Sequence, residues 1–309
     1  MLNYKDILYV SDLDGTLLNN NGVLSENSIS TLKKFVNLGF SFSIATGKSY
    51  ETTKAILESL KIKIPVITYD GVCIYDENRD MVVCNFLDEK ILSDILKKTY
   101  IDATSFLVYS LTDGKEKIFW NKNKKNNYVN YYLKSRNNDP RLEEVEDVNK
   151  FFQGNILFIS FLDNYKNIVN LKEKLEKIGI SNSWINKDSY KKDMYWLKIK
   201  SLKATKGNAI KELLKILNKK WTISIGNGSN DIDMLESSDV AICVANATAG
   251  LKKYSDYEIM QNDKDGVAEF LKNQIDFFIN QNFLKNDLTI HNLINYLYFG
   301  EKIADINKK

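Results

Sequence analysis

At 309 residues, 44% hydrophobic and 27% charged, the chain has the make-up of an ordinary globular protein, long enough to bury a large core and to divide into two domains. A net charge of +3 is too small at this length to mark a nucleic-acid-binding surface, and no uninterrupted apolar run reaches membrane-spanning length. The one histidine, His291, stands far down the C-terminal tail, which excludes Ser-His-Asp and Cys-His catalysis and leaves carboxylates, lysines and hydroxyls to do any chemistry.

The first predicted element is a buried strand over 7–10, followed at once by Ser11-Asp12-Leu13-Asp14-Gly15-Thr16. Two carboxylates at the edge of an apolar core are costly unless a cation or a donor-rich group compensates them. Hard oxygen ligands suit Mg²⁺. Taken alone, the stretch reads equally well as an ordinary Asp-Gly turn. An EF-hand loop would need an oxygen ligand at residue 16 followed by glycine at 17, a pattern that Thr16 and Leu17 do not supply. An amphipathic helix over 29–38 follows, with Ser25 and Ser28 at its start and Gly39 ending it. A second buried strand over 40–45 runs into Thr46-Gly47-Lys48-Ser49. A helix over 50–60 then leads through Pro65 to a third strand over 66–69. Strand, helix, strand, helix, strand at this spacing predicts a parallel α/β sheet. Such sheets bind ligands at the carboxyl ends of their strands, where Asp12, Asp14 and Thr46 all fall.

From about residue 79 the texture changes. Short strands over 106–109, 118–120, 156–162, 184–185 and 195–199 alternate with helices over 89–99 and 165–178, which reads as an inserted α+β domain. The Lys-, Asn- and Tyr-rich segment 121–138 reads as a solvated helix with tyrosines on its inner face rather than as a nucleic-acid surface. Trp184, Tyr190, Tyr195 and Trp196 read as packing within this domain. The first texture returns at Thr205-Lys206-Gly207-Asn208, with a helix to about 218 and a strand over 221–225. That strand ends in Gly226-Asn227-Gly228-Ser229-Asn230-Asp231. A strand over 240–244, a helix opened by Ala245-Asn246-Ala247, and a helix over 266–275 complete the pattern. The tail carries Ile290, Leu293, Ile294 and Leu297 at helical spacing. The organisation expected is therefore a discontinuous core over 1–78 and 201–275, an inserted domain over 79–200, and a helical extension over 276–309. Three scattered cysteines, Cys73, Cys84 and Cys243, and a start without room for a signal peptide suit a reduced, cytoplasmic protein.

Two tempting motifs fail. Gly47-Lys48-Ser49 would end a phosphate-binding P-loop only if residue 42 were glycine, and it is Phe42. Gly226-x-Gly228 would open a dinucleotide fingerprint only if its third glycine replaced Asp231. What remains is four clusters at strand ends: Asp12 with Asp14, Thr46, Lys206, and Asn227 with Asn230 and Asp231. Phosphoryl transfer needs this inventory of an oxygen nucleophile, a proton donor, a cation and donors for the equatorial oxygens.

Asp12-Leu13-Asp14-Gly15-Thr16, Thr46-Gly47, Lys206-Gly207 and Gly226–Asp231 together resemble the four motifs of the haloacid dehalogenase superfamily. The Cof-type phosphatase branch is the nearer match. Tyr69-Asp70-Gly71-Val72-Cys73-Ile74-Tyr75 is similar to that branch's segment entering its cap, and Val244-Ala245-Asn246-Ala247 and Asp263-Lys264-Asp265-Gly266-Val267-Ala268 are similar to its C-terminal segments. The resemblance covers about residues 6–275. It implies a Rossmann-like core with a large inserted cap that sets substrate choice, and a small phosphorylated metabolite as ligand, with neither nucleic acid nor membrane as partner. It further implies that Asp12 attacks phosphorus, and that Asp14 protonates the leaving oxygen and then activates water. Leu13, Thr46, Gly47, Lys206 and Asn230 would bind the phosphate. Mg²⁺ would sit on Asp12, Asp14 and Asn227 with Asp231 in support. A phosphosugar mutase and a non-catalytic phosphometabolite-binding regulator are the alternatives. Three residues depart from the family pattern: Asn227 for an aspartate, Lys48 for an arginine, and Asp70 for an asparagine. They withdraw a charge from the metal shell, remove a planar fork, and add a charge that opposes an anion.

Overall fold

Ile7–Ser11 forms β1, a strand whose five residues are all buried. This burial on both faces is what a central parallel strand requires, and it accounts for the unbroken apolar run. The computed structural model describes residues 3–98, 105–188 and 191–280. After β1 come α1 (Glu26–Asn37), β2 (Ser41–Ile44), α2 (Tyr50–Leu60), β3 (Val66–Thr68), β4 (Cys73–Tyr75) and β5 (Met81–Cys84). The inserted segment carries α3 (Glu89–Lys98), β6 (Phe106–Thr112), β7 (Lys115–Asn121), α4 (Asn127–Ser135), β8 (Leu142–Val145), β9 (Asn155–Asp163), α5 (Tyr165–Lys177), β10 (Ser183–Lys187) and β11 (Tyr195–Lys200). The chain then gives α6 (Lys206–Leu217), β12 (Trp221–Gly226), α7 (Ile232–Glu236), β13 (Val240–Val244), α8 (Ala249–Lys252), β14 (Tyr257–Ile259) and α9 (Gly266–Asn280).

The described residues fall into two units. One comprises those up to Val83 and from Thr205 onward, and the other comprises Cys84–Ala204. Both crossings lie a few residues beyond the change of texture at 79 and 200. The first unit holds a five-stranded parallel sheet in the order β14-β13-β12-β1-β2. An isolated bridge from Ala45 to Ile67 extends it toward β3, which joins β4 and β5 in a small sheet of its own. The order reverses at β1: successive strands run outward through β2 on one side and through β12 to β14 on the other. That reversal is the switch point at which α/β sheets leave a crevice. Three of the helices beside this sheet start alike, with a hydroxyl accepting a hydrogen bond from a backbone N–H three residues on: Ser25 from Ser28 at 2.9 Å, Ser49 from Thr52 at 3.1 Å and Thr205 from Asn208 at 3.1 Å. Each such cap stabilises its helix by about 1 kcal/mol. Tyr9, Phe35 and Phe40 fill the space under α1, with Phe35 stacked on Phe40 at 4.2 Å, and the buried Tyr9 hydroxyl donates to Gln274 on α9 at 3.1 Å.

The second unit is built on a six-stranded sheet, β10-β11-β9-β6-β7-β8. Apolar side chains from α3 and α5 join those of one sheet face, among them Leu92, Ile95, Ile168, Leu175, Val108, Ile159 and Leu197, in a core of their own. The Lys- and Asn-rich segment does form a helix, α4, whose Tyr132 turns inward while Tyr131 is exposed. Strands β4, β5, β8 and β14 are additional to those expected from the sequence. Leu142-Glu143-Glu144-Val145 hides an edge strand behind two acids, and Tyr257–Ile259 is only three residues long. Residue 69 does not prolong β3. Its φ of 53° turns the chain away instead. In the expected extension over 276–309, residues up to Asn280 continue α9. The stripe at 290–297, His291 and Tyr190 lie outside the described residues. Among the described residues no helix is long and apolar enough to cross a membrane.

Candidate active site

The backbone first fixes the end of β1. Asp12 donates its N–H to Ile225 O at 2.9 Å, and Ser11 O accepts from Ala45 N at 2.9 Å. Asp12 is thus held between the ends of β12 and β2. Its side chain is 7% exposed. One oxygen accepts from Lys206 Nζ at 2.7 Å and the other from Thr16 Oγ1 at 3.3 Å.

Lys206 opens α6, a position where the helix dipole disfavours a cation. Its amino group is fully buried and donates to Asp12 at 2.7 Å and to Asp231 Oδ1 at 2.6 Å. Burial alone would lower its pKa, but the charges of Asp12, Asp231 and Asp70 outweigh that and raise it, so the lysine stays charged. Asp12 experiences the opposite balance. Burial and the charge of Asp231 push its carboxyl from an ordinary 3.8 up to about 7, against the pull of Lys206. One lysine shared between two buried acids cannot fully satisfy both. Gly207 lets α6 come this close, since a Cβ there would stand 2.3 Å from Asp233 O.

Asp231 closes the loop after β12. Its second oxygen accepts the N–H groups of Asn227 and Gly228 at 3.0 and 2.9 Å, and a Cβ on Gly226 would strike it. It therefore anchors both the loop and Lys206. Asn227 fixes its own carbonyl by accepting from Thr248 N at 2.9 Å. Its side-chain amide presses on Gly15, where a Cβ would lie 2.3 Å from Nδ2 and φ is +78°. Gly15 O accepts from Asn246 Nδ2 at 2.8 Å. Among the described residues no three His, Cys, Asp or Glu side chains group around one point as a metal site. Of the residues expected to hold Mg²⁺, Asp12 and Asp14 follow β1 and Asn227 follows β12, the strand paired beside it, and their expected donors would be one carboxylate, a main-chain carbonyl and a side-chain amide oxygen. These are all oxygens, and they suit a hard cation that keeps part of its water shell.

Thr46 is fully buried beyond β2. Its N–H goes to Ile67 O at 3.0 Å and its hydroxyl accepts from Lys48 N at 3.1 Å, so the group it offers is its own proton. Asp14 is a quarter exposed and ion-paired with Lys48. Lys48, Asn246 and Asp70 contact Asp14, Gly15 and Asn230 in ways the sequence does not show. Lys48 carried a signal in its place beside Thr46-Gly47, but nothing in the sequence showed that it reaches Asp14.

Tyr69, Asp70 and Gly71 form a left-handed run with φ of 53°, 55° and 92°. At Gly71 a Cβ would meet Thr205 O at 2.1 Å. Gly71→Ala is expected to cost at least about 2–3 kcal/mol in urea unfolding, because it combines positive φ with a backbone clash that nothing flexible can relieve. An unchanged midpoint would show that the start of α6 yields.

A family model described as haloacid dehalogenase-like hydrolase matches residues 9–271. The chain belongs to that family, in its Cof-type branch, and is a phosphatase acting as a phosphoric monoester hydrolase. It is 28% identical over 300 residues to Phosphatase YwpJ of Bacillus subtilis (strain 168), covering 86% of this chain and 98% of that protein. It is 26% identical over 276 residues to the 5-amino-6-(5-phospho-D-ribitylamino)uracil phosphatase YwtE of the same organism, covering 84% and 95%. A crystal structure of a haloacid dehalogenase-like hydrolase from Bacteroides thetaiotaomicron shares the fold, with a TM-score of 0.72 at 22% identity over 86% of this chain and 98% of that one.

Proposed function

We propose that this phosphatase is Mg²⁺-dependent and hydrolyses a small phosphomonoester, a sugar phosphate or a phosphorylated cofactor, through an aspartyl-phosphate on Asp12. The observation that carries this reading is the buried Lys206 bridging Asp12 and Asp231 at 2.7 and 2.6 Å. A buried carboxylate held against a fixed cation at a strand end is poised for nucleophilic attack on an anionic phosphorus.

In the first step an Asp12 oxygen forms a bond to phosphorus as the ester oxygen leaves with a proton from Asp14. In the second, Asp14 takes a proton from water, the water oxygen bonds to phosphorus, and the Asp12–phosphorus bond breaks to release inorganic phosphate. Lys48 steadies Asp14 between the two steps. The Thr46 hydroxyl, the main chain at Leu13 and Gly47, Asn230 and the Lys206 amino group receive the phosphoryl oxygens. Bound by Asp12, the Asp14 carbonyl and Asn227, with Asp231 supporting the loop, Mg²⁺ would supply positive charge to offset the phosphoryl oxygens.

The substrate named for YwtE is one phosphomonoester of this class. A net charge of +3 argues against nucleic acid or a membrane surface as partner, and three cysteines scattered along the chain, Cys73, Cys84 and Cys243, suit the cytoplasm. The test is a panel of phosphate esters assayed for free phosphate with and without Mg²⁺. Free phosphate released only with Mg²⁺ supports the reading. Phosphate moved between positions of one sugar without release would make the protein a mutase.

Asn227 offers the metal an amide oxygen without a charge, so Asn227→Asp should lower the Mg²⁺ concentration for half-maximal activity by about tenfold. An unchanged Mg²⁺ titration would remove residue 227 from the metal shell. Asn227 also favours a second reading, a regulator that binds phosphometabolites without turnover, which an inert panel at high Mg²⁺ would support.

A further inference from the structure

The charge at Asp70 has no part in the steps above, yet its place is unusual. Its carboxylate is 3% exposed and stands on the left-handed turn that follows β3. Backbone bonds clamp this turn to the Thr46–Lys48 loop: Asp70 N–H donates to Thr46 O at 2.9 Å and Tyr69 N–H to Lys48 O at 3.0 Å. The next residue, Gly71, packs against Thr205 O at the start of α6, close enough to forbid a Cβ. The carboxylate accepts from Asn230 Nδ2 at 3.1 Å. Both of its oxygens lie 3.1 Å from where a Cβ on Gly47 would be, and its charge acts on Lys206. A single side chain therefore reaches two of the four clusters, at Gly47 and Asn230, and acts by its charge on a third, Lys206.

Two consecutive non-glycine residues at positive φ cost the fold free energy, and such strain persists where surrounding contacts over-determine it. A buried carboxylate placed beside an anion site is costly again unless it organises donors. Both costs fall on the one turn that spans the Gly47 loop, the start of α6 and the Asn230 loop.

Resting on the phosphatase reading, we propose that Asp70 is a positioning residue: as an acceptor it fixes the Asn230 amide and the Gly47 turn at the spacing that receives a phosphoryl group. Its acceptor oxygen is the working feature. Asparagine retains such an oxygen and tolerates the same φ, whereas glycine takes up the φ freely but holds nothing.

The experiment compares wild type, Asp70→Gly and Asp70→Asn. It measures inorganic phosphate affinity by calorimetry in Mg²⁺, steady-state kinetics on the best ester of the panel, and thermal melts. Asp70→Gly is expected to weaken phosphate binding and raise KM by about tenfold with kcat changed less than about threefold, and Asp70→Asn to return both to within about threefold of wild type. Wild-type phosphate affinity in Asp70→Gly overturns the proposal, as does an Asn variant no better than Gly. A Gly variant that no longer melts cooperatively overturns it too, because Asp70 then holds the fold rather than the site. If wild type binds phosphate but releases none from any ester, the phosphatase reading fails while the affinity comparison still decides the role of Asp70. If wild type binds no phosphate, both fall.

Discussion

Asp12→Asn is expected to reduce phosphate release by at least a thousandfold, and to leave a protein that is more stable than wild type above pH 7 without metal. The loss of activity follows from the chemistry. An amide oxygen is a far poorer nucleophile than a carboxylate and cannot form the proposed aspartyl-phosphate, so the residual rate reflects binding and electrostatics alone. The gain in stability follows from the environment. Burial and Asp231 hold the Asp12 carboxyl at about 7 instead of 3.8, so between those values the folded chain keeps a proton that the unfolded chain has released. The stability contributed by this group is fully present below about pH 4 and is lost as pH rises through about 7. Asparagine has no proton to lose, so the variant keeps its stability where wild type declines. Thermal melts at pH 5.5 and 8 without metal, alongside a phosphate-release assay, check both halves. A variant that turns over at even a tenth of the wild-type rate would remove Asp12 as nucleophile. Equal melting of the two proteins at pH 8 would show that Lys206 fully compensates the Asp12 charge.

Much of this site is legible in the sequence because each element of it sits where an apolar run stops. Ile7–Val10, Phe40–Ala45 and Thr222–Ile225 are buried on both faces of a parallel sheet, so the apolar residues in each run mark the strands. The polar residues directly after them then fall at one edge. That logic finds Asp12, Asp14, Thr46 and Asn227 without reference to side-chain geometry. Lys206 was harder, since a lysine at the start of a helix is ordinarily solvated, and only its company with the other clusters singled it out.

What stayed hidden are contacts that depend on the backbone bending against its propensities. Nothing about Tyr69 announces a φ of 53°, and tyrosine is a strand former, so the chain reads as continuing β3. Without that turn Asp70 reads only as an added charge that opposes an anion, whereas the fold buries it against Asn230. Asp231 likewise reads as a helix-start acid or a metal ligand. Only the loop conformation reveals that its two oxygens serve Lys206 and two amides. The bond from Asn246 to Gly15 O joins segments 231 residues apart, a separation at which local pattern carries no information.

Lys206→Met tests the centre of this arrangement from the opposite side. Methionine has a similar reach but no charge, so the substitution leaves Asp12 and Asp231 facing each other in a buried site without their common donor. Breaking a buried ion pair from one side costs roughly 3–5 kcal/mol, because the stranded charge stays desolvated. That is a large part of the roughly 5–15 kcal/mol that holds most domains together. One escape is available. With Lys206 gone, the influence that lowers the Asp12 pKa disappears, so Asp12 takes up a proton more readily and relieves the repulsion. The loss of stability should therefore be smaller at pH 5.5 than at pH 8, the sign expected when a neutral carboxylic acid replaces an unpaired carboxylate. If Mg²⁺ binds as proposed, it should restore part of the loss at pH 8, because it would bring positive charge beside Asp12. Activity should fall by at least about a hundredfold at every pH, since neither protonation nor metal returns the donor proposed for the phosphoryl group. Urea unfolding at the two pH values, each with and without Mg²⁺, provides the measurement. A pH-independent loss of stability would mean that Lys206 matters for packing rather than charge, and a variant with near-normal turnover would leave the bridge between Asp12 and Asp231 a structural feature alone.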